Sequence, residues 1–529
     1  MSTVSGGRRG RGTIRRRRAA LLGLGLLAAI VPAWRLGVRS AIGDEVYYRG
    51  AALDMLDGQW LTNTQHPPLV KELMALSHAL LGDTVVADRL PGAVAAWATG
   101  LVVAALVWRA GTPGRATTLA GLLAAAVWWV LPYGPSRTAL LEGPMTFFVL
   151  AAQLAFVLAA ARRAPRWLVV GGLLVGLATA CKLTGALALA GALPAVWQLR
   201  REGALRPRSW QPGLPVPRTQ AVGCLLGGVL LGGLAYLLTY APFGGVAVGA
   251  LADPITFQLG HAATGHPVVV AGLVREDPPW WTPFAFQADR LGVWASVGLW
   301  AAALVGVVRH RRVLAPVWVT LAVLVVVLTT SPLALTHYHY VWWPCLMTLA
   351  GAALVPSRPL PAPAARGRVP RAVRIAAATT VAAVLALLPV GWAGARHVAA
   401  VAQTGPSGYD RAAALLAAEI PAGEPAVVWA DVPSVRSAMP DQRITTRLPA
   451  DLNPAALVYV ESWAVRKEGT DLATWERCRA ATYTRHDLGS VVVLLRDDRA
   501  DDRAADSDQT GTSAAVTPGP GCDTLRRRR

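Results

Sequence analysis

Two adjacent carboxylates, Asp44 and Glu45, stand just beyond the first apolar run of the chain. A carboxylate pair at a membrane surface can take a proton from a group in the aqueous phase while a second reactant approaches from the lipid. The alternative is that Asp44 only caps a helix that begins at Glu45. The pair is therefore a candidate for acid–base chemistry at the edge of a bilayer.

The rest of the chain has the composition of a polytopic membrane protein. Of its 529 residues 54% are hydrophobic and 16% are charged, and the mean hydropathy is +0.41, which is too apolar for soluble domains of that length. Lysine and arginine number 51 against 31 acidic residues. This excess lies largely in short clusters between apolar runs, as cytoplasmic loops require, so binding to nucleic acid is not needed to explain it.

The apolar runs predict a mainly α-helical transmembrane bundle of about eleven spans. The predicted spans are 19–34, 90–108, 116–133, 139–161, 167–181, 184–199, 220–240, 291–308, 313–331, 340–355 and 375–394. If they alternate from a cytoplasmic N-terminus, every inner loop is an arginine cluster, in agreement with the positive-inside rule. Those inner loops are 109–115, 162–166, 200–218, 309–312 and 358–374. An odd number of spans then places everything after about residue 395 outside the cytoplasm.

The regions outside the spans divide into four parts. Residues 1–18 are a basic cytoplasmic segment, and the outer loop 39–89 is predicted to contain two interfacial helices, the second of which begins after Pro67 and Pro68. Residues 396–498, beyond the membrane domain 19–395, predict a small extracytoplasmic α/β domain, and residues 499–529 are expected to be disordered. The predicted elements of the α/β domain are helices 408–420 and 471–481 and strands 426–430, 457–461 and 491–495.

The cysteines and histidines do not have the spacing of a metal site. The five cysteines show no ligand pattern, and only Cys478 and Cys522 have positions that allow a disulfide in an oxidising compartment. His261, His266, His337 and His339 are spread over two loops without a tight pattern or a set of carboxylates. We therefore expect no metal.

Several short motifs occur in a consistent order along residues 20–395. The motifs are Asp44-Glu45, His66-Pro67-Pro68-Leu69 with Lys71, Arg89, Arg137-Thr138-Ala139-Leu140-Leu141-Glu142, Gly176-Leu177-Ala178 with Cys181-Lys182-Leu183-Thr184-Gly185, His261 to Pro267, Trp280-Trp281 with Pro283, and His337-Tyr338-His339-Tyr340 with Pro344. In this order they resemble the protein O-mannosyltransferases that use polyprenyl-phosphate mannose, and their bacterial relatives, which include the lipid A aminoarabinose transferases. The resemblance implies the membrane architecture called GT-C.

Two features depart from the family pattern. Position 142 is Glu where the family often has Asp, which keeps a carboxylate but moves it by one methylene. The large outer insertion of the eukaryotic enzymes is missing, which suggests a bacterial form.

The resemblance implies roles for individual residues. Asp44 would be the base that deprotonates a hydroxyl, and Glu45 would bind or orient the acceptor or the sugar. Lys182 lies in a turn between two apolar spans, where an unpaired ammonium would be costly, so it should face an anion or a polar cavity, and a lipid phosphate fits. Arg137 would bind the same phosphate; the alternatives for the two residues are snorkelling to lipid headgroups or an Arg137–Glu142 pair. Further substrate-binding candidates are His66, Lys71, Arg89, Glu142, His266, His337 and His339. A single displacement would invert the anomeric centre, and neither a cofactor nor a metal is implied.

The resulting expectation is a multi-pass membrane hexosyltransferase. It would move a sugar, with mannose as the favoured choice, from a polyprenyl-phosphate donor to Ser or Thr hydroxyls of exported proteins at the outer face. One alternative keeps the donor class but uses a cell-envelope glycan or glycolipid as acceptor. A second is a transporter or flippase of lipid-linked sugars, although the sequence shows no internal repeat. A third is a membrane anchor for an outer binding domain.

Overall fold

The described residues of the chain fall into two units. The structure, a computed structural model, describes residues 19, 23, 25, 30–41, 43–200, 216–265, 268–270, 273–275, 277–355, 371–420, 426–429, 443–445, 454–460, 483–489 and 491–497. By their contacts, residues 1–36 and 48–403 form a first unit and residues 37–47 and 404–529 a second. Each unit is described by itself below.

The first unit is built from helices. Its helices in chain order are α1 Ile30–Ala33, α2 Asp44–Leu56 (whose first residues fall in the second unit), α3 Leu69–Leu81, α4 Val85–Ala110, α5 Arg115–Val130, α6 Glu142–Arg162, α7 Arg166–Cys181, α8 Ala192–Arg200, α9 Arg218–Leu238, α10 Ala247–Thr264, α11 Thr282–Leu291, α12 Val293–His310, α13 Ala315–Thr330, α14 Trp343–Ala353 and α15 Arg371–Ala402. Turns of 3-10 helix at Leu36–Val38, Gly134–Ser136, Leu183–Gly191, Ala241–Val246 and Tyr338–Trp342 connect them, and strands β1 Val268–Val270 and β2 Leu273–Arg275 form a hairpin.

Five helices within the described residues are long and apolar enough to cross a membrane. They are Val85–Ala110, Glu142–Arg162, Arg218–Leu238, Val293–His310 and Ala377–Ala402, and three shorter apolar helices accompany them. Every predicted span from 90–108 to 375–394 overlaps a helical segment. The mainly helical fold is therefore confirmed, and the number of eleven spans stays a prediction. Half of the span 19–34 and all of the basic segment 1–18 lie outside the described residues.

Helices α7 and α9 pack against each other through glycine. Gly172 and Gly176 of α7 face Gly228 and Gly232 of α9, and a Cβ atom on any of the four would collide with the facing helix backbone. Small residues spaced by four let two helices approach to backbone contact, as is common inside membranes. This contact fixes the position of α7, and Lys182 follows directly after its last residue.

Helix α3 has the two faces expected of a helix in a membrane surface. It begins directly after Pro68, as predicted from the two prolines. Val70 and Met74 are buried on one side, while Leu76 and Leu80 are 56% and 73% exposed. An exposed leucine stripe on an otherwise packed helix suits a position between protein and lipid.

The second unit contains helix α16, Gly408–Glu419, and a five-stranded sheet. The strands are β3 Ala426–Trp429, β4 Arg443–Thr445, β5 Ala456–Val460, β6 Tyr483–Leu488 and β7 Val491–Arg496, in the order β4-β3-β5-β7-β6. Strand β3 runs parallel to β4 and β5, whereas β7 runs antiparallel to β5 and β6. The hydrophobic cluster lies between α16 and the sheet, as the alternation of helix and apolar strands predicts.

The predicted positions agree with helix α16 and with strands β3, β5 and β7. Strand β7, Val-Val-Val-Leu-Leu-Arg, is a continuous apolar run because it lies inside the sheet. The edge strands β4 and β6 were not predicted, since β6 is largely polar and β4 is three residues long. The predicted helix 471–481, the tail 499–529, Cys478 and Cys522 lie outside the described residues.

Candidate active site

A buried ion pair joins the beginning of one apolar helix, α6, to the end of another, α7. Glu142 is the first residue of α6, and Lys182 is the residue that follows α7. The Lys182 ammonium contacts the Glu142 carboxylate, and the side chains are only 6% and 3% exposed. A carboxylate is favoured at a helix N-terminus, and a buried ammonium requires acceptors or an opposite charge that compensate for the lost water. The sequence prediction that Lys182 faces an anion or a polar cavity agrees with this contact.

The turn between α13 and α14 completes the cluster around this pair. Nε2 of His337 lies 3.5 Å from Oε1 of Glu142, the same oxygen that contacts Lys182. The Lys182 ammonium also lies 3.9 Å from the centroid of the Tyr338 ring, which gives it a cation–π contact. Three segments far apart in the chain therefore meet at one carboxylate oxygen.

A small cavity lies beside the ion pair. Its volume of about 10 Å³ is about enough for one water molecule. The lining residues are Glu142, Met145, Lys182, Thr184, Leu187, Leu324, Leu328, Tyr338 and Val341. Apart from the charged pair, Thr184 and the Tyr338 hydroxyl, the wall is apolar, so a ligand group that enters here meets one ammonium in dry surroundings.

His66 lies within the electrostatic reach of this cluster. Its ring contacts Tyr48 and Phe257 edge to face, at centroid distances of 5.7 and 5.4 Å. Burial, followed by the positive charges of Lys182 and Lys71, lowers the pKa of His66 to about 3. The imidazole is therefore neutral near pH 7 and can accept or donate a hydrogen bond without adding charge.

Lys71 fastens the loop that carries His66. Its ammonium donates to the backbone oxygens of Asn63, at 2.5 Å, and His66, at 2.8 Å, and lies 3.4 Å from the Asn63 side-chain oxygen. Burial lowers the pKa of Lys71 to about 7. In this structure the predicted substrate-binding lysine thus positions His66 through the backbone of its loop.

The two predicted site arginines contact backbone carbonyls near the first apolar segment. Nη1 of Arg89 donates to the oxygen of Leu36 at 2.5 Å. Arg137 donates from Nη1 to the oxygens of Val31, at 3.0 Å, and Pro32, at 3.5 Å, and from Nη2 to that of Arg35, at 3.4 Å. The last carbonyls of a helix lack intrahelical partners, so a guanidinium there stabilises the end of α1. Glu142 pairs with Lys182 and not with Arg137 as the alternative interpretation proposed.

The remaining predicted site residues lie in other places. Asp44 and Glu45 are the first two residues of α2, where the helix dipole favours negative charge; Glu45 is buried and Asp44 is partly exposed. His339 is buried and its ring lies 4.3 Å from that of Tyr340 and 5.6 Å from that of Trp343. His266 lies outside the described residues. Within the part of the chain that the structure describes, no group of three His, Cys, Asp or Glu residues has the geometry to hold a metal.

One polar network of the first unit was not predicted. Asp88 accepts hydrogen bonds from Nη1 of Arg49 at 2.8 Å and lies 2.6 Å from Nε2 of His78, while Arg49 also binds Asp83 at 2.5 Å. It joins α2, α3 and the start of α4. The signal in the sequence was a histidine and an aspartate inside apolar helical patterns, where unpaired polar groups are costly.

Comparison with known proteins gives matches over part of the sequence. Residues 65–208 match the family model described as dolichyl-phosphate-mannose-protein mannosyltransferase. Among curated proteins, the polyprenol-phosphate-mannose–protein mannosyltransferases of two Mycobacterium tuberculosis strains, CDC 1551 and H37Rv, are each 29% identical over 258 residues, or 41% of this chain and 48% of the relative. The chain thus spans about half the length of the curated relatives it matches.

Comparison with solved structures covers nearly the whole chain. ArnT from Cupriavidus metallidurans bound to undecaprenyl phosphate is 16% identical, with a TM-score of 0.52 over 91% of this chain and 98% of ArnT. The apo form of ArnT gives 16% identity and a TM-score of 0.52 over 93% and 99%. At this identity the likeness shows a shared fold.

The family match contains six of the predicted site residues, which are His66, Lys71, Arg89, Arg137, Glu142 and Lys182. Asp44, Glu45 and the later histidines lie outside it. The chain therefore has a GT-C-like membrane fold shared with ArnT, and its resemblance to the polyprenyl-phosphate-mannose protein mannosyltransferase family is confirmed by the sequence match around the Glu142–Lys182 pair.

Proposed function

We propose that the protein is an integral-membrane glycosyltransferase that moves mannose from a polyprenyl-phosphate donor to a hydroxyl group. The acceptor is a Ser or Thr side chain of an exported protein at the outer face of the cell membrane. The observation that carries the proposal is the buried Glu142–Lys182 pair, with His337 at the same oxygen, inside the segment that matches the mannosyltransferase family. The names of the mycobacterial relatives support the choice of mannose and of a protein acceptor.

The leaving phosphate needs a cation in a dry environment. The contact with Glu142 neutralises the charge of Lys182, which lowers the cost of keeping an ammonium buried. When the phosphate of the donor arrives, the ammonium exchanges part of its contact with Glu142 for the phosphate oxygens. His337, 3.5 Å from Glu142, can donate to the phosphate from the same side. The departing phosphate is thus stabilised where its negative charge develops.

The transfer itself is a single displacement. The hydroxyl oxygen of the acceptor bonds to the anomeric carbon, the bond from that carbon to the phosphate oxygen breaks, and polyprenyl phosphate leaves. The hydroxyl proton passes to the carboxylate of Asp44, and Glu45 orients the acceptor or the sugar. One displacement inverts the anomeric centre and requires no covalent sugar–enzyme intermediate.

The proposed topology places the donor lipid and the acceptor on the same side of the membrane. The N-terminus is cytoplasmic, and the outer loop 39–89 and the α/β unit are extracytoplasmic. The arginine clusters of the alternate loops support this orientation. Cysteines introduced at positions 54 and 205 test it, because an impermeant thiol reagent should label the first in intact cells and the second only after permeabilisation.

Transfer assays in membranes test the activity. Membranes with the protein are incubated with radiolabelled polyprenyl-phosphate mannose and a Ser/Thr-rich exported peptide, and the wild type is compared with Asp44→Asn. Asp57→Asn is the matched control, because Asp57 is an exposed aspartate just after α2. The proposal expects labelled peptide from the wild type and the control and a loss of about 10³-fold in Asp44→Asn.

The alternatives give other products in the same assay. Label in a glycan or glycolipid fraction would show that the acceptor is a glycan or glycolipid. Movement of intact donor across the membrane would indicate a flippase. Substantial transfer by Asp44→Asn would remove Asp44 from the role of base.

A further inference from the structure

The segment that leads into Asp44 and Glu45 is bound by the second unit. Residues 37–47 group with residues 404–529. The Ser40 hydroxyl donates a hydrogen bond to Oδ1 of Asp410, and the Ser40 backbone N–H donates to Oδ2 at 3.3 Å. Nε of Arg39 donates to the backbone oxygen of Gly405 at 3.2 Å. Two consecutive residues are thus held by chain that lies more than 360 positions away.

Asp410 is itself held in place by the start of helix α16. Ser407 is the N-cap residue: its hydroxyl accepts from the Asp410 N–H at 3.1 Å, and its own N–H donates to Oδ2 of Asp410 at 2.6 Å. This reciprocal arrangement is a capping box. Burial alone would raise the pKa of Asp410, but the hydrogen bonds from Ser40 and Ser407 outweigh it and hold the pKa below its usual value. The carboxylate is therefore charged at neutral pH and is a strong acceptor for Ser40.

Helix α16 is fixed to the sheet on its other side. Ala412 and Leu416 are buried against strands β5 and β7 in the hydrophobic cluster of this unit. Nη2 of Arg411 donates to the backbone oxygen of Leu488 at 2.7 Å. Gly408 approaches the same oxygen so closely that a Cβ atom there would lie 2.7 Å from it. The start of α16 therefore has little freedom to shift along the sheet.

We propose that Asp410 is a positioning residue which, through Ser40, fixes the segment carrying Asp44 and Glu45, so that the C-terminal α/β unit sets the placement of the carboxylate pair. This inference rests on the proposed function, which gives that pair its catalytic role. Ser40 is four residues before Asp44, so their Cα atoms are at most about 14 Å apart and a shift of Ser40 is felt at the pair. A misplacement of about 1 Å at a catalytic group can cost about 100-fold in rate.

The competing interpretation is that Asp410 serves only as a cap of α16. Two serine variants separate the two roles. Ser40→Ala removes the hydroxyl that binds Asp410 and leaves the capping box intact. Ser407→Ala removes the hydroxyl of the cap, while the backbone N–H of residue 407 still donates to Asp410 and the bond from Ser40 remains.

Steady-state kinetics of the full-length chain in membranes provide the first test. We expect Ser40→Ala to lower kcat about tenfold with the KM for the lipid donor within about twofold of wild type. Ser40→Thr, which keeps a hydroxyl, should retain most of the activity. Ser407→Ala should lower the thermal stability and leave kcat within about twofold. Unchanged kcat in Ser40→Ala, or an equal loss in Ser407→Ala, would overturn the proposal.

Hydrogen exchange provides a second test that does not depend on activity. The backbone amides of residues 43–47 should exchange faster in Asp410→Ala and Ser40→Ala than in the wild type and in Ser407→Ala. Equal exchange in all four proteins would show that Asp410 does not hold the segment. If the wild type transferred no sugar while this pattern appeared, the proposed function would fail and the contact between Asp410 and the segment would stand.

Discussion

Two sets of cations in the first unit differ in what they contact. Arg89, Arg137 and Lys71 donate to backbone carbonyls of residues 31–36 and 63–66. Lys182 contacts the side chain of Glu142 beside a small cavity. All four were predicted to bind substrate, Lys71 and Arg89 from the family resemblance alone. The atoms that accept their hydrogen bonds distinguish them.

The two kinds of contact differ in the free energy needed to give the cation a new partner. A cation on backbone carbonyls holds two segments together, and removing it takes a hydrogen-bond donor away from those oxygens. A cation on a carboxylate forms a neutral pair, and an incoming phosphate can share the Lys182 ammonium with Glu142, while His337 remains 3.5 Å from the carboxylate as a second partner. We therefore expect Lys182 to act on the ligand and the two arginines to act on the stability of the fold.

The largest effect is expected when the pair is removed as a unit. Lys182→Met together with Glu142→Gln removes both buried charges, so the double variant should fold, whereas Lys182→Met alone leaves a buried carboxylate and should lose about 3–5 kcal/mol of stability. Transfer should fall about 10³-fold in both. Thermal unfolding and the transfer assay measure the two effects. Wild-type activity in the double variant would contradict the assignment of Lys182 as the cation that acts on the ligand.

A smaller effect, on stability alone, is expected for Arg137→Gln. The neutral amide is shorter and cannot reach all of the carbonyls of Val31, Pro32 and Arg35, so the free energy of unfolding should fall by about 1–3 kcal/mol. The KM for the lipid donor should stay within about twofold of wild type. A tenfold rise in this KM with unchanged stability would place Arg137 among the ligand-binding cations.

The smallest effect concerns pH. The pKa of His66 is lowered from 6.5 to about 3 in the folded chain, so between these values the unfolded chain binds a proton that the folded chain does not. The folded state therefore loses stability as the pH falls below about 6.5. His66→Phe keeps the ring between Tyr48 and Phe257 and cannot titrate.

The measurement for this prediction is the midpoint of thermal unfolding at pH 7.5 and pH 5. The decrease on acidification should be smaller in His66→Phe than in the wild type. An identical decrease in both proteins would mean that His66 does not resist protonation and would contradict the lowered pKa that burial and the two lysines give it.

Features set by local sequence were predictable. The apolar runs gave the positions of the helices from α4 to α9 and from α12 to α15, and Pro67 and Pro68 gave the start of α3. Because Lys182 lies next to an apolar span, the sequence also predicted correctly that its ammonium faces an anion. In each of these cases the cause lies within one segment.

Features that depend on distant partners were not predictable. Nothing near Arg137 indicates that it contacts carbonyls about a hundred positions earlier, and nothing near Ser40 indicates Asp410. The Arg49–Asp88–His78 network was missed for the same reason, because its three members come from three helices. The sequence shows the type of each hydrogen-bonding group, whereas the partner of that group depends on the packing of the whole unit.

Direct binding of polyprenyl phosphate to the purified full-length protein tests the central claim, that Lys182 exchanges part of its contact with Glu142 for the phosphate of the donor. Affinity is measured for the wild type, for Arg137→Gln and for the double variant Lys182→Met/Glu142→Gln. We predict similar dissociation constants for the first two and a loss of at least about tenfold for the double variant. Wild-type affinity in the double variant, or a selective loss in Arg137→Gln, would contradict the account.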